Sequence, residues 1–232
     1  MQKYKHLFFD LDRTLWDFDT NSKFALNDIY HTFNLKGEGI DDVSVFIDQY
    51  QIINEKLWGW YRMGNIKKQD LRRKRFTEAL AHFGCNNEEL GVKLDESYIS
   101  ISPYQKALMP NTIETLEYLS DKYQMHIITN GFEEVQGIKM AQSGLQPFFN
   151  HMVTSERAMA RKPDPIVFKL ACSIANTNPS ESIMIGDDLA ADIDGAKNVW
   201  MDQVYFNPAR NAHDREDITF EIFGLDELKS IL

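Results

Sequence analysis

Cysteine is scarce in this 232-residue chain: Cys85 and Cys172 are the only two, far apart and without His or Cys neighbours at metal-ligand spacing. That excludes a disulfide framework and a thiolate metal centre, and predicts free thiols buried in a protein of a reducing cytosol. Long apolar runs are also missing, since none approaches the roughly 18 residues that a membrane helix needs. Asp10 and Asp12 interrupt the N-terminal stretch before a signal-peptide core can form, so the expected compartment is the cytoplasm, with no membrane partner. Positive charge is in deficit, 25 Lys and Arg against 35 Asp and Glu, a formal net charge of −10. Such a surface repels a phosphate backbone and excludes duplex nucleic acid as a partner unless a local basic groove forms. There is no repeat of fixed period and no low-complexity tract.

What is present is a globular profile, 43% hydrophobic and 12% aromatic, enough for one large core or two modest ones. The organising stretch is Lys5 to Leu15, KHLFFDLDRTL. Leu7-Phe8-Phe9 reads as a short strand, and period-two alternation sends Asp10 and Asp12 to the same side of its end. Two carboxylates held together repel, and a hard, oxygen-seeking cation such as Mg2+ is the natural compensation. The blander reading is a strand end followed by an Asx-type turn.

From Phe18 to Ser102 the chain is helical in texture, an inserted block with its own small core. Its first helix, Asn21 to Phe33, carries Phe24, Ala25, Ile29 and Phe33 near a 3.6-residue period, and a later one, Lys68 to Phe83, stops at Gly84. From Pro103 strands and helices alternate. Short strands are predicted at Met125 to Ile128, His151 to Thr154, Ser182 to Ile185 and Gln203 to Phe206, and the tail runs through Thr219 to Ile222. Helices are predicted at Asn111 to Lys122, Glu133 to Ser143, after Asp164-Pro165, at Ala190 to Asn198 and at Leu225 to Leu232. This alternation implies an α/β fold, a parallel sheet with helices on both faces, whose ligands bind at the carboxyl ends of the strands. The expected division is residues 1–17 with 103–232 as the α/β domain and 18–102 as the helical one.

The polar clusters fall at those strand ends: Asp10 and Asp12, then Thr129-Asn130-Gly131, then Asp187-Asp188. Together they supply what phosphoryl transfer through a carboxylate requires. Asp10 attacks phosphorus, and Asp12 protonates the leaving alkoxide and then deprotonates water. Mg2+ between Asp10, the backbone carbonyl of Asp12 and Asp187 would neutralise the charge that keeps a carboxylate from a phosphate dianion. Thr129, with the amides of Asn130 and Gly131, donates to phosphoryl oxygens, and Lys162 orients Asp10 while neutralising the transferring group. Taken singly, Asn130-Gly131 is also a turn dipeptide, Lys162 a helix-entry charge and Asp187-Asp188 a helix cap.

The ordered set, Asp10-Leu11-Asp12-Arg13-Thr14, Thr129 in IITNG, Lys162 in RKPDP and Asp187 in IGDDLAAD, resembles the haloacid dehalogenase superfamily phosphatases over nearly the whole chain. The resemblance implies a Rossmann-like three-layer core with an all-helical cap inserted between the first and second motifs, which selects substrate. It implies a Mg2+-dependent phosphomonoester hydrolase working on a small phosphorylated metabolite, as monomer or homodimer. TNGFEEVQ, GDDLAADI and the cap stretch WGWYRMGNIKKQDLRRKRF are most similar to the nucleoside 5'-monophosphatase branch, with N-acylneuraminate-9-phosphatase the alternative. A phosphomutase and a 2-haloacid dehalogenase are the remaining relatives, and Asp12 argues against the latter. The role of Arg13 stays open, as does participation of Asp188 or Asp192 behind Asp187 at the metal. Trp58, Trp60 and Tyr61 either fill the cap core or line a specificity pocket, and Lys67 to Arg75 is either a solvated helix face or an anion lure. The glycine usual at the end of the Asp187 helix is absent, which predicts a turn rebuilt around Trp200.

Overall fold

The computed structural model describes residues 3–232. Six parallel strands form one sheet, β1 (His6–Phe9), β2 (Gln124–Thr129), β3 (His151–Thr154), β4 (Ser182–Gly186), β5 (Asp202–Phe206) and β6 (Phe220–Ile222), in the order β3-β2-β1-β4-β5-β6. This is the parallel α/β sheet that the alternating pattern predicts. The register puts Phe9 opposite Ile127 on one side and Ile185 on the other, so the ends of β2, β1 and β4 lie abreast. The chain leaves β1 towards β2 and returns to β4 on the opposite side, which makes the end of β1 the switch point in strand order.

Alternation along the strands builds two cores, one on each face. Leu7, Phe9, Met125, Ile127, Ile183, Ile185 and Val204 pack against Leu116 and Leu119 of α5 (Thr112–Ser120) and Met140 of α6 (Glu133–Gln142). Phe8, Ile128, Val153 and Met184 pack against Val167, Phe168, Ala171 and Cys172 of α8 (Pro165–Ile174). Each fully buried Val, Leu, Ile, Phe or Met among them contributes about 1.5–3 kcal/mol, and this fixes the strand register on which the site depends. Burial among these apolar groups pushes the Cys172 thiol up to about 11, whereas Cys85 is only half-buried.

The chain divides into two compact units, Lys106–Leu232 together with the N-terminal stretch through Phe18, and Asp19–Gln105. The second is helical: most of α1 (Phe18–Thr32), then α2 (Val43–Arg62), α3 (Lys68–His82) and α4 (Glu88–Ile101). Asp42 caps α2 by accepting from Ser44 N and Val45 N, and Asn87 caps α4 by accepting from Leu90 N. Its centre is a trio of rings, Tyr50, Phe76 and Tyr98, with centroids 4.6–5.8 Å apart, beside a buried ion pair of 2.6 Å between Arg75 and Asp95. Arg75 therefore departs from the solvated face that its basic neighbours suggest, while Arg73 meets Glu88 at the surface. In α1 the buried stripe is Ser22, Ala25, Leu26, Ile29 and Tyr30, so Phe24, expected inside, is 56% exposed.

One helix differs in kind. The segment predicted as a helix from Ala190 is a π-turn, Leu189–Asp194, running into the short α9 (Gly195–Lys197). Its wide turn carries Ile193 N back to Asp188 O, five residues earlier. Two contacts accompany it: Asp188 caps the turn through Ala190 N and Ala191 N, and Lys162, thirty residues away, draws the Asp192 carboxylate inward. Beyond it Trp200 takes the left-handed conformation, φ 61°, in place of a glycine. The chain closes with a 3-10 turn, Leu225–Glu227, and α10 (Leu228–Ile231); a one-turn helix, α7 (Ser155–Ala158), follows β3. No helix of the described residues is long and apolar enough to cross a membrane.

Candidate active site

Three strand ends and one loop deliver the polar groups. Asp10 follows β1, Thr129 ends β2, and Asp187 follows Gly186 at the end of β4. Lys162 arrives from the loop between α7 and α8, on a cis Lys162-Pro163 peptide. Asn130 fixes that loop from both directions, donating Nδ2 to Lys162 O (3.0 Å) and accepting from Lys162 N (2.8 Å).

The Lys162 ammonium is wholly buried and uses all three of its hydrogens, donating to Asp10 Oδ1 (2.5 Å), Asp192 Oδ1 (2.6 Å) and the Ile128 carbonyl (2.8 Å). Burial alone would lower its pKa, but Asp10 and Asp192 outweigh that and raise it. Asp10 is pushed well above the usual carboxylate range by burial first, which Lys162 opposes without overcoming it, while Asp192 and Asp187 add repulsion. Asp187 is pushed up to about 7, again by burial first and then by Asp192, against a hydrogen bond from Thr14 Oγ1 to its Oδ1 at 3.0 Å. Asp192 is raised by burial and held down by Lys162, and its second oxygen accepts from Asp188 N at 3.1 Å. Gly186 is glycine for a steric reason: a methyl there would collide with the Asp192 carboxylate.

Oxygens of Asp10, Asp187 and Asp192 all lie within 4.8 Å of one another. Three carboxylates against one ammonium leave two negative charges in a buried place, and an all-oxygen donor set suits a hard divalent cation. The residues present therefore fit Mg2+. Both oxygens of Asp192 are taken by Lys162 and Asp188 N, whereas Asp10 and Asp187 each have only Oδ1 engaged among the described residues. Of the three clustered acids those two have a carboxylate oxygen left for a metal; Asp188, which caps the following turn through its Oδ1, lies outside the cluster.

Asp12 leads elsewhere. The strand stops at Phe9, Arg13 turns left-handed at φ 64°, and Asp12 sits in a tight loop closed by Leu15 N and Trp16 N, both donating to Leu11 O. Its Oδ1 meets Lys139 Nζ at 2.5 Å and its Oδ2 accepts from Gln136 Nε2 at 2.9 Å. Gln136 Nε2 also donates to Thr129 Oγ1 at 2.8 Å, and Thr129 Oγ1 accepts from Gly131 N at 3.0 Å. Gln136 and Lys139 are missing from the candidates that the motifs suggest. The one available signal was their spacing of three on α6, which puts both on the face carrying Met140. Among the cap aromatics, Tyr61 is buried with the half-buried Trp58 set edge-on at 5.5 Å, and Lys56 lies 4.8 Å over Trp60.

A switch-point cluster of buried acids around one lysine, on a parallel sheet, defines a class of hydrolase, and comparison with known proteins gives its name. The chain belongs to the haloacid dehalogenase-like hydrolases, whose family model matches residues 4–199. It is 34% identical to the pyrimidine 5'-nucleotidase PynA of Streptococcus pneumoniae over 99% of this chain and 95% of that protein. It is 29% identical to the pyrimidine 5'-nucleotidase YjjG of Escherichia coli over 99% and 98% of the two chains. Among solved structures, the HAD-hydrolase YfnB of Bacillus subtilis, bound to magnesium, superposes with a TM-score of 0.89 at 28% identity, covering 99% of both chains.

Proposed function

We propose that this hydrolase cleaves phosphomonoesters through an aspartyl-phosphate on Asp10, with Mg2+ as cofactor and pyrimidine nucleoside 5'-monophosphates as substrates. The observation that carries the reading is Lys162 locked between Asp10 and Asp192 with Asp187 alongside, a buried site short of two positive charges. The substrate class rests on the likeness to the two pyrimidine 5'-nucleotidases.

In the first step a carboxylate oxygen of Asp10 attacks phosphorus and the bond from phosphorus to the ester oxygen breaks; Asp12, which takes up a proton from solvent or from the substrate monoanion as the phosphate enters, gives it to the departing alkoxide. In the second, Asp12 takes a proton from water, the new hydroxide attacks phosphorus, and the bond to Asp10 breaks to release phosphate. Lys162 holds Asp10 Oδ1 in place and stabilises negative charge as it gathers on the transferring group. The acceptor capacity of Thr129 Oγ1 is filled by Gln136 and Gly131 N, so its own hydrogen is free for a phosphoryl oxygen. The Gly131 amide donates to Thr129, and Lys162 has all three hydrogens engaged, so direct hydrogen bonding to the phosphoryl group falls to the Thr129 hydroxyl and the Asn130 backbone amide, while Lys162 acts through its charge. Asp10 and Asp187, with the Asp12 carbonyl, would hold Mg2+, which when bound would supply the charge neutralisation that lets a carboxylate approach a phosphate dianion. Substrate selection is assigned to the helical unit.

The test is phosphate release from dUMP, dTMP, purine nucleotides, sugar phosphates and N-acetylneuraminate 9-phosphate, with Mg2+ or with EDTA. Mg2+-dependent turnover highest on the pyrimidine nucleotides is expected. Preference for the neuraminate or a sugar phosphate would overturn the substrate class, and no release from any ester would overturn the activity.

A further inference from the structure

Asp12 lies on a loop and not on the strand, so nothing in the sheet aims its carboxylate. Two side chains of α6 do so instead, Lys139 on Oδ1 and Gln136 on Oδ2. Lys139 is itself fixed: its ammonium lies 4.2 Å over the Trp16 ring and 5.7 Å from the Phe18 ring, and the residue is 5% exposed. A lysine so buried is held by its carboxylate and by ring faces, which leaves it one position. Gln136 is 0% exposed, and its amide lies where a side chain on Gly131 would have to stand. Its orientation is dictated by the Asp12 carboxylate, which requires the amide nitrogen on that side, and the arrangement leaves Gln136 Oε1 buried without a partner among the described residues. A buried orphan acceptor is a standing cost that packing alone would avoid.

We propose that Lys139 and Gln136 are positioning residues which together aim Asp12 at the leaving-group oxygen. Gln136, by bonding Thr129 as well, keeps the proton donor and the phosphate-binding hydroxyl in register. This rests on the phosphatase reading above. The device matters where the leaving alkoxide is basic and must be protonated as it departs, as for a nucleoside or another alkyl phosphate. An aryl phosphate with a weakly basic leaving group departs without a proton and is indifferent to it. Because kcat/KM reports events up to the first irreversible step, it isolates attack by Asp10 from the later hydrolysis, in which Asp12 acts as base for every substrate.

The experiment compares kcat/KM for dUMP and for p-nitrophenyl phosphate in wild type, Lys139→Met and Gln136→Met, with melting curves on each. The expected result is a fall of about 10- to 100-fold in the ratio of dUMP to p-nitrophenyl phosphate in both variants, in line with the worth of a positioned general acid. Lys139→Arg, which restores a donor, is expected to recover most of that ratio. If Lys139→Met does not fold, Gln136→Met decides the matter alone. Equal losses on both esters, or no loss, would overturn the positioning role while leaving the phosphatase reading intact. Hydrolysis of neither ester by wild type would overturn both.

Discussion

Lys162→Met is the sharpest structural perturbation available. The side chain is among the largest wholly buried ones, and its three hydrogen bonds, 2.5 Å to Asp10, 2.6 Å to Asp192 and 2.8 Å to Ile128 O, are replaced by none. Methionine fills nearly the same volume, so the packing term is small and the loss is electrostatic. Removing one partner of a buried ion pair costs about 3–5 kcal/mol, because an uncompensated charge remains. Here two acids, Asp10 and Asp192, are orphaned at once, which places the expected loss near 4 kcal/mol after partial relief by proton uptake. With a urea m-value of about 2 kcal/mol/M for a unit of this size, the midpoint of the α/β unit should fall by about 2 M in EDTA at neutral pH. Circular dichroism in a urea series measures it. A shift below about 0.5 M would mean that the lysine does not hold the acids together, and the charge argument would fail.

Other consequences follow from single sites. Mg2+ at about 100 times its Kd should raise stability by about 2.7 kcal/mol in thermal melts, and Asp187→Asn should abolish the increment; an unchanged increment would remove Asp187 from the metal. His126, against His6 Nδ1 at 3.1 Å and facing His151, is lowered from about 6.5 to about 4, by burial first and then by those two rings. Its folded pKa lies below its unfolded one, so the fold is most stable above about pH 6.5 and weakens as pH falls towards 4, by about 2 kcal/mol at pH 5. His126→Phe should flatten that limb of the stability profile, and an unaltered limb would refute the assignment. Trp200 is 91% exposed at φ 61°, so Trp200→Gly relieves a left-handed L-residue and should stabilise by roughly 0.5–1 kcal/mol in urea melts. Destabilisation there would reveal packing that its exposure denies.

The sheet was legible because each strand is a short apolar run that stops at a chemically distinct residue. Phe9 stops at Asp10 and Ile128 at Thr129, while Ile185 stops at Gly186-Asp187, and apolar burial forces that register. The Asn130 bonds to Lys162, by contrast, join residues 32 apart through a loop that no local pattern specifies. Gln136 and Lys139 reach Asp12 across 124 and 127 residues, and a polar pair on a helix face looks the same in sequence whether it meets water or a buried carboxylate. Arg75 shows the same blindness, since its partner Asp95 lies on another helix and turns one member of a basic run inward. The π-turn at Leu189–Asp194 escaped because its cause is the pull of Lys162 on Asp192, a tertiary effect on a segment of ordinary helical composition.

The central claim is that Asp10 becomes phosphorylated. Acid-quenching the enzyme within one turnover of dUMP and Mg2+, then mapping the modified peptide by mass spectrometry, addresses it directly. The account predicts a phosphoryl group on Asp10 that is absent from Asp10→Asn and from samples held in EDTA. A phosphoryl group on another residue, or full turnover by Asp10→Asn, would contradict it.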